Sequence, residues 1–430
     1  MTVAVTTTDR RLDHRRFHAE LTVLRPDGRP LADAVVTVEQ VRHAFAFGNI
    51  GFDFIPLANA ETEPDETAAR VETFGNADID LLGTLEPLWL DLFNTAVLPF
   101  YWGRFEPVRG RTDTARVRRT AEWFRDRGVA LKGHPLVWHT VTAPWLLDLR
   151  LDEVEAAQRE RVRRDVAAFA GLIDEWDAIN EAVIMPIYDR VDNGITRLAY
   201  DRGRMEMVRL AVETAREANP DAFLLINDWD LTAAYECLIE GVLEAGIRLD
   251  GIGLQTHMHK GYRGEDEILA TIDRFARFGL PIHLTESTLL SGELMPSTIT
   301  DLNDYRVDHW PSTDEGEARQ ADEIERHYRS LVGHPAVEAI TYWGLSDNGS
   351  WLGAPGGLVR ADGSPKPSYR ALHGLIKGEW WLPPTEVRTD ERGRIRASGF
   401  LGEYRVSSGD RSATVSLHGP GEAQVDVVLG

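Results

Sequence analysis

Two glutamates of the sequence each end a short apolar run of the kind that forms a buried strand. Glu181 ends the run 173–181, and Glu286 ends the run 280–286. A carboxylate at the carboxyl end of a strand stabilises a core poorly, but this end of a parallel barrel is where catalytic side chains lie. Two carboxylates that face one pocket are the groups that hydrolysis of a glycosidic bond requires. Glu181 and Glu286 are therefore the candidate catalytic residues.

The chain between residues 43 and 378 alternates strand-like apolar runs with charged helical stretches, as chains built from βα units do. The predicted strands are 44–48, 92–97, 130–138, 175–180, 223–227, 251–256, 282–285 and 339–344. The predicted helices include 114–127, 151–172, 204–218, 231–245, 265–278 and 315–331. Eight strands with helices between them predict a closed (β/α)8 barrel. A doubly wound open sheet is the alternative, but its Gly-rich phosphate turn does not follow the first strand.

Both ends of the chain show β-strand patterns instead. Residues 17–24 and 34–41 flank the turn 25–30, which predicts a hairpin. Short strand patterns follow residue 378, at 387–390, 395–400, 404–406, 412–417 and 423–429. Each end alone is too small to form a stable β domain. We therefore predict that the N-terminal hairpin (1–40) and the C-terminal strands (379–430) form one accessory β-sandwich, with the barrel at 41–378.

Charge and composition narrow the class of partner. The formal charge of −22 opposes binding to nucleic acids and anionic membranes, which attract clustered Lys and Arg. No run approaches the roughly 18 apolar residues of a membrane span. Cys237 is the single cysteine, and residues 1–17 lack the apolar segment of a signal peptide. These features predict a cytoplasmic protein, or a secreted one if a leader precedes this numbering, and they leave the oligomeric state open.

Several strand-end motifs carry a resemblance to a known family. They are GHPLVWH at 133–139, WDAINEA at 176–182, ND at 227–228, GIGLQTH at 251–257, LTE at 284–286, WGLSD at 343–347 and KPSY at 366–369. In this order the motifs resemble glycoside hydrolase family 10, the β-1,4-xylanase family, over about residues 40–378. The resemblance implies a (β/α)8 barrel that hydrolyses a β-glycosidic bond in an oligosaccharide or small glycoside with retention of configuration. It implies no metal or organic cofactor.

The same resemblance implies residue roles. Glu181 would be the acid/base and Glu286 the nucleophile, and Asn180 would bind the sugar 2-hydroxyl. Gln255 and His257 lie two apart on one strand and so share a face, from which they would orient the nucleophile and tune the acid/base. The further residues implied to contact sugar are His134, Trp138, Trp343 and Trp351.

The chain departs from the family pattern in two places. The second strand of the family is followed by Glu, Asn and Lys residues that hold the next sugar, whereas this chain has the apolar segment 93–102, which includes Tyr101. Tyr101 is therefore expected to form part of an aromatic wall, which discriminates between sugars weakly. The family also has Glu-x-Asp at the nucleophile, where this chain has Glu286-Ser287-Thr288. Glu293 is within reach as a replacement for that Asp.

Two other functions are compatible with the sequence. One is a carbohydrate-binding protein without activity on the same scaffold, which the altered second strand motivates. The other is a metal-dependent barrel hydrolase, because His257 and His259 have the spacing of metal ligands and His139, Asp228 and Glu286 could complete the site. That alternative gives no role to Glu181.

Overall fold

A computed structural model describes residues 2–5, 9–62 and 77–430. Its strands in chain order are β1 (Thr2–Ala4), β2 (Arg16–Leu24), β3 (Val35–His43), β4 (Ala46–Ile50), β5 (Thr95–Pro99), β6 (Ala130–His134), β7 (Glu175–Asn180), β8 (Phe223–Asp228), β9 (Gly251–Met258), β10 (Ile282–Leu289), β11 (Val337–Tyr342), β12 (Thr385–Arg388), β13 (Arg394–Phe400), β14 (Gly402–Ser408), β15 (Arg411–Leu417) and β16 (Gly421–Val428). Its α-helices are α1 (Ile55–Ala58), α2 (Leu82–Leu92), α3 (Trp102–Phe105), α4 (Thr114–Arg125), α5 (Leu151–Phe169), α6 (Gly194–Arg202), α7 (Arg204–Ala218), α8 (Ala233–Glu244), α9 (Glu265–Ala276), α10 (Asp314–Val332) and α11 (Pro367–His373). None of these helices is long and apolar enough to cross a membrane.

Strands β4 to β11 close into a parallel barrel, which confirms the predicted (β/α)8 fold. Strands of such a barrel are covered on both faces, so their sequences are apolar runs without strict alternation. Gly133 of β6 pairs with Trp176 of β7, and a Cβ at Gly133 would come within 2.2 Å of the Trp176 ring. The small residue therefore allows a buried tryptophan to fill the space between these strands.

Strand β7 has the predicted limits, whereas the other seven barrel strands begin or end at other residues, and β10 continues to Leu289, past Glu286. The first barrel strand covers Ala46–Ile50 rather than 44–48, and β6 ends at His134 rather than at residue 138. Pro135 explains the second difference, because it has no N–H to continue the ladder. Val137 still forms an isolated parallel bridge with Ile179. The chain beyond Pro135 therefore stays beside β7, where it carries Trp138.

The remaining strands form two four-stranded sheets, each built from both ends of the chain. Their strand orders are β1-β13-β2-β16 and β12-β3-β14-β15. Phe17 of β2 and Tyr404 of β14 contact each other edge to face, with ring centroids 5.0 Å apart, so the sheets pack as a sandwich. The predicted hairpin is wrong, because β2 and β3 lie in different sheets and residues 25–34 cross between them. Both strands alternate buried and exposed residues, which is compatible with a hairpin and with strands in two packed sheets. The sequence pattern alone therefore did not distinguish these two arrangements.

The chain divides into two compact units. One comprises residues 47–323 and 336–368, and the other comprises the residues up to 46 together with 324–335 and 369–430. These limits differ from the predicted 41–378, since 41–46, 324–335 and 369–378 fall in the unit that contains the two sheets. Residues 324–332 are the second half of α10, which has acidic residues in its first turn and Arg329 in its last turn, as the helix dipole favours.

Candidate active site

The two glutamates are linked by a chain of side-chain amides at the carboxyl ends of β7 to β10. Asn227 donates from Nδ2 to Glu286 Oε1 (3.0 Å) and to Asn180 Oδ1 (2.8 Å). Gln255 donates from Nε2 to Asn180 Oδ1 (3.2 Å) and to Glu181 Oε1 (3.3 Å). The structure thus brings Glu181, Glu286, Asn180 and Gln255 of the predicted set into one hydrogen-bonded cluster. Asn227 connects them.

Glu181 has an unusual backbone conformation. Its φ is 56°, in the left-handed region that residues other than Gly seldom adopt, and its N–H donates to the carbonyl of Asn227 at 2.8 Å. The chain therefore leaves β7 abruptly after Asn180. Backbone strain of this kind is concentrated at functional sites, where the surrounding contacts hold it.

The carboxyl group of Glu181 favours its protonated form. Burial raises its pKa to about 8, and the negative charges of Asp228 and Glu286 act in the same direction. The indole Nε1 of Trp138 donates to Oε2 at 2.8 Å and opposes the shift. Since burial is the largest cause, Glu181 carries its proton at neutral pH. A protonated carboxylic acid can donate to a leaving oxygen.

Glu286 has the opposite surroundings, although it is also buried. Its Oε1 accepts from Asn227, and its Oε2 lies 3.2 Å from Nε2 of His257. Asn227 is oriented in turn by Thr285, whose hydroxyl donates to its Oδ1 at 2.6 Å. The pair therefore combines a carboxyl group that keeps its proton with one that is held in place by Asn227 and His257, and hydrolysis of a glycosidic bond uses two carboxyl groups in different surroundings.

The partner of His257 on its other side is Thr288. Its Oγ1 lies 2.9 Å from His257 Nδ1. Thr288 occupies the position of the expected acidic residue in Glu286-Ser287-Thr288, so the replacement is a neutral hydroxyl at the same place in the chain. The sequence analysis looked for it in Glu293, whose backbone carbonyl accepts from the indole of Trp310 at 2.9 Å.

His134 belongs to a buried charged network beneath the two glutamates. Its Nδ1 lies 2.7 Å from Asp177 Oδ2, and Lys132 Nζ lies 2.7 Å from Asp177 Oδ1. Burial alone would raise the pKa of Asp177, but Lys132 and His134 together hold it below its usual value. Lys132 and His134 are two apart on β6 and so face the same side, toward β7. The network fixes the ring of His134.

Aromatic rings surround the cavity. Tyr101 lies with its ring centroid 5.5 Å from that of Trp138 and 5.7 Å from that of His134. Trp343 lies 5.3 Å from His134 and 6.2 Å from His257, and Trp351 lies 4.7 Å from His257. This cluster therefore contains the rings that were predicted to contact sugar, namely His134, Trp138, Trp343, Trp351 and Tyr101. Burial and the charge of Glu286 raise the pKa of the Tyr101 hydroxyl well above its usual value, so it stays neutral.

Asp228 and His139, which the sequence suggested only as ligands of the metal-site alternative, also lie here. Asp228 is buried, accepts from the N–H groups of Val183 and Asp230 at 3.0 Å each, and has a pKa raised to about 7 by burial. His139 lies 3.8 Å from Glu181, and burial lowers its pKa to about 3. The position of Asn227 and Asp228 at the end of β8 was a usable signal, because Asn180 and Glu181 lie at the end of β7 in the same way. The spacing of Lys132 and His134 was another.

The histidines of the metal-site alternative are engaged differently. His257 lies against Glu286 and Thr288, and the ring of His259 lies 5.2 Å from Trp351. Within the ranges that the structure describes, no group of three or more His, Cys, Asp or Glu side chains is placed to hold a metal ion. In those ranges His257 and His259 therefore have no third side chain placed with them to form a metal site.

A family comparison decides the class of this site. The family model "Glycosyl hydrolase family 10" matches residues 99–374, more than half of the chain. The chain belongs to glycosyl hydrolase family 10. The predicted resemblance is confirmed, and this member of family 10 is a glycoside hydrolase with the closed barrel described above.

Similar proteins agree with this membership. Endo-1,4-beta-xylanase B of Thermotoga neapolitana is 29% identical over 297 residues, which cover 64% of this chain and 78% of that protein. The anti-sigma-I factor RsgI6 of Acetivibrio thermocellus is 24% identical over 418 residues, or 95% of this chain, which spans less than half (46%) of that relative. The crystal structure of xylanase 10B from Thermotoga petrophila with xylobiose has the same barrel fold, with a TM-score of 0.60 at 23% identity over 78% of this chain and 94% of that chain.

Proposed function

We propose that this family 10 protein hydrolyses a β-1,4-linked oligosaccharide or small glycoside by retaining double displacement, with Glu286 as the nucleophile and Glu181 as the acid/base. The observation that carries the proposal is the amide-linked pair of carboxyl groups in different surroundings. Burial raises the pKa of Glu181 to about 8, whereas Glu286 accepts from Asn227 and lies 3.2 Å from Nε2 of His257. A retaining enzyme needs one group of each kind at one bond.

In the first step, a carboxylate oxygen of Glu286 attacks the anomeric carbon. The bond from that carbon to the glycosidic oxygen breaks, and Glu181 transfers its proton to the leaving oxygen. The product is an ester between Glu286 and the sugar. The charge of Glu286 helps to raise the pKa of Glu181, so ester formation removes this contribution and lowers the pKa of Glu181.

In the second step, the ionised Glu181 takes a proton from water, and the water oxygen attacks the anomeric carbon. The ester bond breaks, Glu286 regains its charge, and Glu181 is again protonated. Two displacements at one carbon restore the original configuration.

The neighbouring side chains suit sugar binding around this pair. Asn180 accepts from Asn227 and Gln255 and donates from Nδ2 to Glu181 Oε1 at 3.3 Å, which holds its amide at the reacting carbon, next to the sugar 2-hydroxyl. Gln255 and His257 orient the two carboxyl groups. His134, Trp138, Trp343, Trp351 and Tyr101 supply ring edges and faces against which a pyranose packs.

We infer xylo-oligosaccharides as the first substrates to examine, since relatives of this chain are named endo-1,4-beta-xylanases. Tyr101 belongs to a buried apolar cluster with Ile50, Phe52, Val97 and Trp343. An apolar wall accepts sugars that differ by a hydroxyl more readily than a hydrogen-bonded one. We therefore expect activity on aryl β-glycosides of more than one sugar.

The test replaces each glutamate by its isosteric amide. Glu286→Gln and Glu181→Gln should each lower kcat on xylo-oligosaccharides by about 10²–10⁴-fold without lowering the midpoint of thermal unfolding. NMR of the first product should show the β anomer. An initial α anomer, or near-parental activity of either variant, contradicts the proposal. Calorimetric binding of oligosaccharides without any turnover would instead support the carbohydrate-binding alternative.

A further inference from the structure

A small pocket borders the catalytic cavity at the carboxyl ends of β4 and β11. Its lining includes Ile50 and Asp53 from the first of these ends and Trp343, Asn348 and Trp351 from the second. Trp343 and Trp351 are the same rings that lie near His257, so the pocket opens beside the nucleophile.

The barrel order decides which part of a substrate would reach this pocket. Glu181 follows β7 and gives its proton to the leaving group, which must therefore lie on the β7 side of Glu286. Strand β11 is four strands away from β7 in the closed barrel of eight, and β4 is its neighbour. The pocket thus lies across the barrel mouth from the acid. The part of the substrate that remains attached to Glu286 extends in this direction.

Asp53 brings a charged acceptor into this pocket. Its residue is 5% exposed, and its Oδ1 accepts from the N–H of Ala77 at 2.9 Å. Among the residues that the structure describes, its carboxylate has no other hydrogen-bond partner. Burial raises the pKa of Asp53 to about 6, so the group is mostly ionised at pH 7. Asp53 lines the pocket, so a ligand or water there can donate to its other oxygen and offset the loss of solvent around the charge.

A hydroxyl group of a sugar unit that lies at the mouth of the pocket meets this need, since the pocket itself, at about 10 Å³, has room for a group of about that size. Neighbouring hydroxyl groups of a pyranose donate to a carboxylate, and the apolar face of the ring packs on an indole, as Trp343 and Trp351 provide. The segment after β5, where the family pattern places polar sugar contacts, is apolar in this chain. The carboxylate of Asp53, after β4, can supply discrimination between sugars in place of those contacts. A site that binds a hydroxyl by hydrogen bonds rejects analogues without that hydroxyl strongly.

We propose that Asp53 is a specificity-determining residue that binds the hydroxyl groups of the second sugar on the retained side of the scissile bond. This inference rests on the proposed function. It predicts a preference for substrates with two sugars on that side, and exclusion of units whose adjacent hydroxyls carry substituents.

The test compares 4-nitrophenyl β-xylobioside with 4-nitrophenyl β-xyloside, which lacks the second sugar. Asp53→Asn keeps an oxygen for Ala77 but turns the acceptor that faces the pocket into a donor. We expect kcat/KM for the xylobioside to fall by about 10- to 100-fold and that for the xyloside to change by less than about twofold. Asp53→Ala should show the same selectivity.

Asp78 provides the matched control. The side chain of Asp78 accepts from Asn348 Nδ2 at 2.9 Å, and the N–H of Asp78 donates to Asn348 Oδ1 at 3.1 Å. Asp78 therefore fixes the same short segment of chain that Asp53 fixes through the N–H of Ala77. Asp78→Ala should leave the ratio of the two kcat/KM values unchanged. Equal losses on both substrates in Asp53→Asn, or no loss on either, would overturn the inference, as would an Asp78→Ala variant that behaves like Asp53→Asn.

Calorimetry separates this inference from the proposed function. If the parent protein turns over neither aryl glycoside, the proposed function fails, and binding of xylobiose then tests Asp53 directly. If the parent binds xylobiose and the Asp53→Asn variant binds it about 10-fold or more weakly, the role of Asp53 is supported. Equal affinity of the two proteins, or no binding to the parent, refutes it.

Discussion

The hydroxyl of Thr288 lies 2.9 Å from Nδ1 of His257, and Nε2 of the same imidazole lies 3.2 Å from Oε2 of Glu286. The hydroxyl can donate to Nδ1 when the ring carries a proton on Nε2, and that N–H can then donate to Glu286. Thr288 therefore orients His257, and through it the nucleophile, without bringing a negative charge to the ring.

Removing the Thr288 hydroxyl should therefore impair the nucleophile without changing the shape of the site. We expect Thr288→Val to lower kcat on an aryl β-glycoside by about 5- to 10-fold, the value of one buried hydrogen bond, with little effect on KM. Thr288→Ser retains the hydroxyl and should restore most of the activity. Equal activity of the Val and Ser variants would show that the hydrogen bond does not matter.

The raised pKa of Glu181 predicts the alkaline side of the pH profile. Activity requires the protonated form, so kcat/KM should fall as pH rises through about 8. In the Glu181→Gln variant this alkaline fall in kcat/KM should disappear. The activity that remains should be higher for substrates whose aglycone is a better leaving group. The measurement is kcat/KM from pH 5 to 10 with 4-nitrophenyl and unactivated substrates. An unchanged alkaline fall in Glu181→Gln would assign the titration to another group.

The same shift predicts a pH dependence of stability. Burial raises the pKa of Glu181 from 4.5 to about 8, so the folded state holds this proton more tightly than the unfolded state. Its contribution is complete below pH 4.5 and is lost as pH rises through about 8. The parent should therefore lose more stability between pH 5 and 9 than Glu181→Gln, which cannot ionise. Thermal unfolding at both pH values measures the difference, and parallel curves for the two proteins would contradict it.

The convergence of the two glutamates could be predicted because the carboxyl ends of parallel strands converge, although Glu286 lies before the end of β10 rather than at it. The spacing of Gln255 and His257 predicted a shared face, and the family resemblance implied their roles. The partner of His257 could not be predicted in this way, since a threonine beside a glutamate has no distinctive pattern. Strand pairing at the chain ends could not be predicted either. Strand β2 pairs with β13 and β16, almost the whole chain length away, and no local pattern specifies such partners.

The buried ion pair of Lys132 and Asp177 should be essential for stability. Both side chains are no more than 3% exposed. Lys132→Met would leave a buried carboxylate with His134 as its remaining partner, so we expect the free energy of unfolding to fall by about 3–5 kcal/mol. The exposed pair of Arg163 and Glu217 is the control, and Arg163→Met should cost less than about 1 kcal/mol. Urea unfolding measures both, and similar losses in the two variants would contradict this view of the network.

The two sheets at the chain ends should depend on each other for folding. Strand β2 lies between β13 and β16, and β3 lies between β12 and β14, so deletion of residues 1–40 removes β2 and most of β3. We expect trypsin then to cleave rapidly at Arg394, Arg405 and Arg411, with the fragments identified by mass spectrometry. The substitution Phe17→Ala is a milder version, because Phe17 is fully buried against Tyr404 and its loss should cost about 3–5 kcal/mol. Unchanged protease resistance after the deletion would show that residues 379–430 fold without the N-terminal strands, against the pairing seen here.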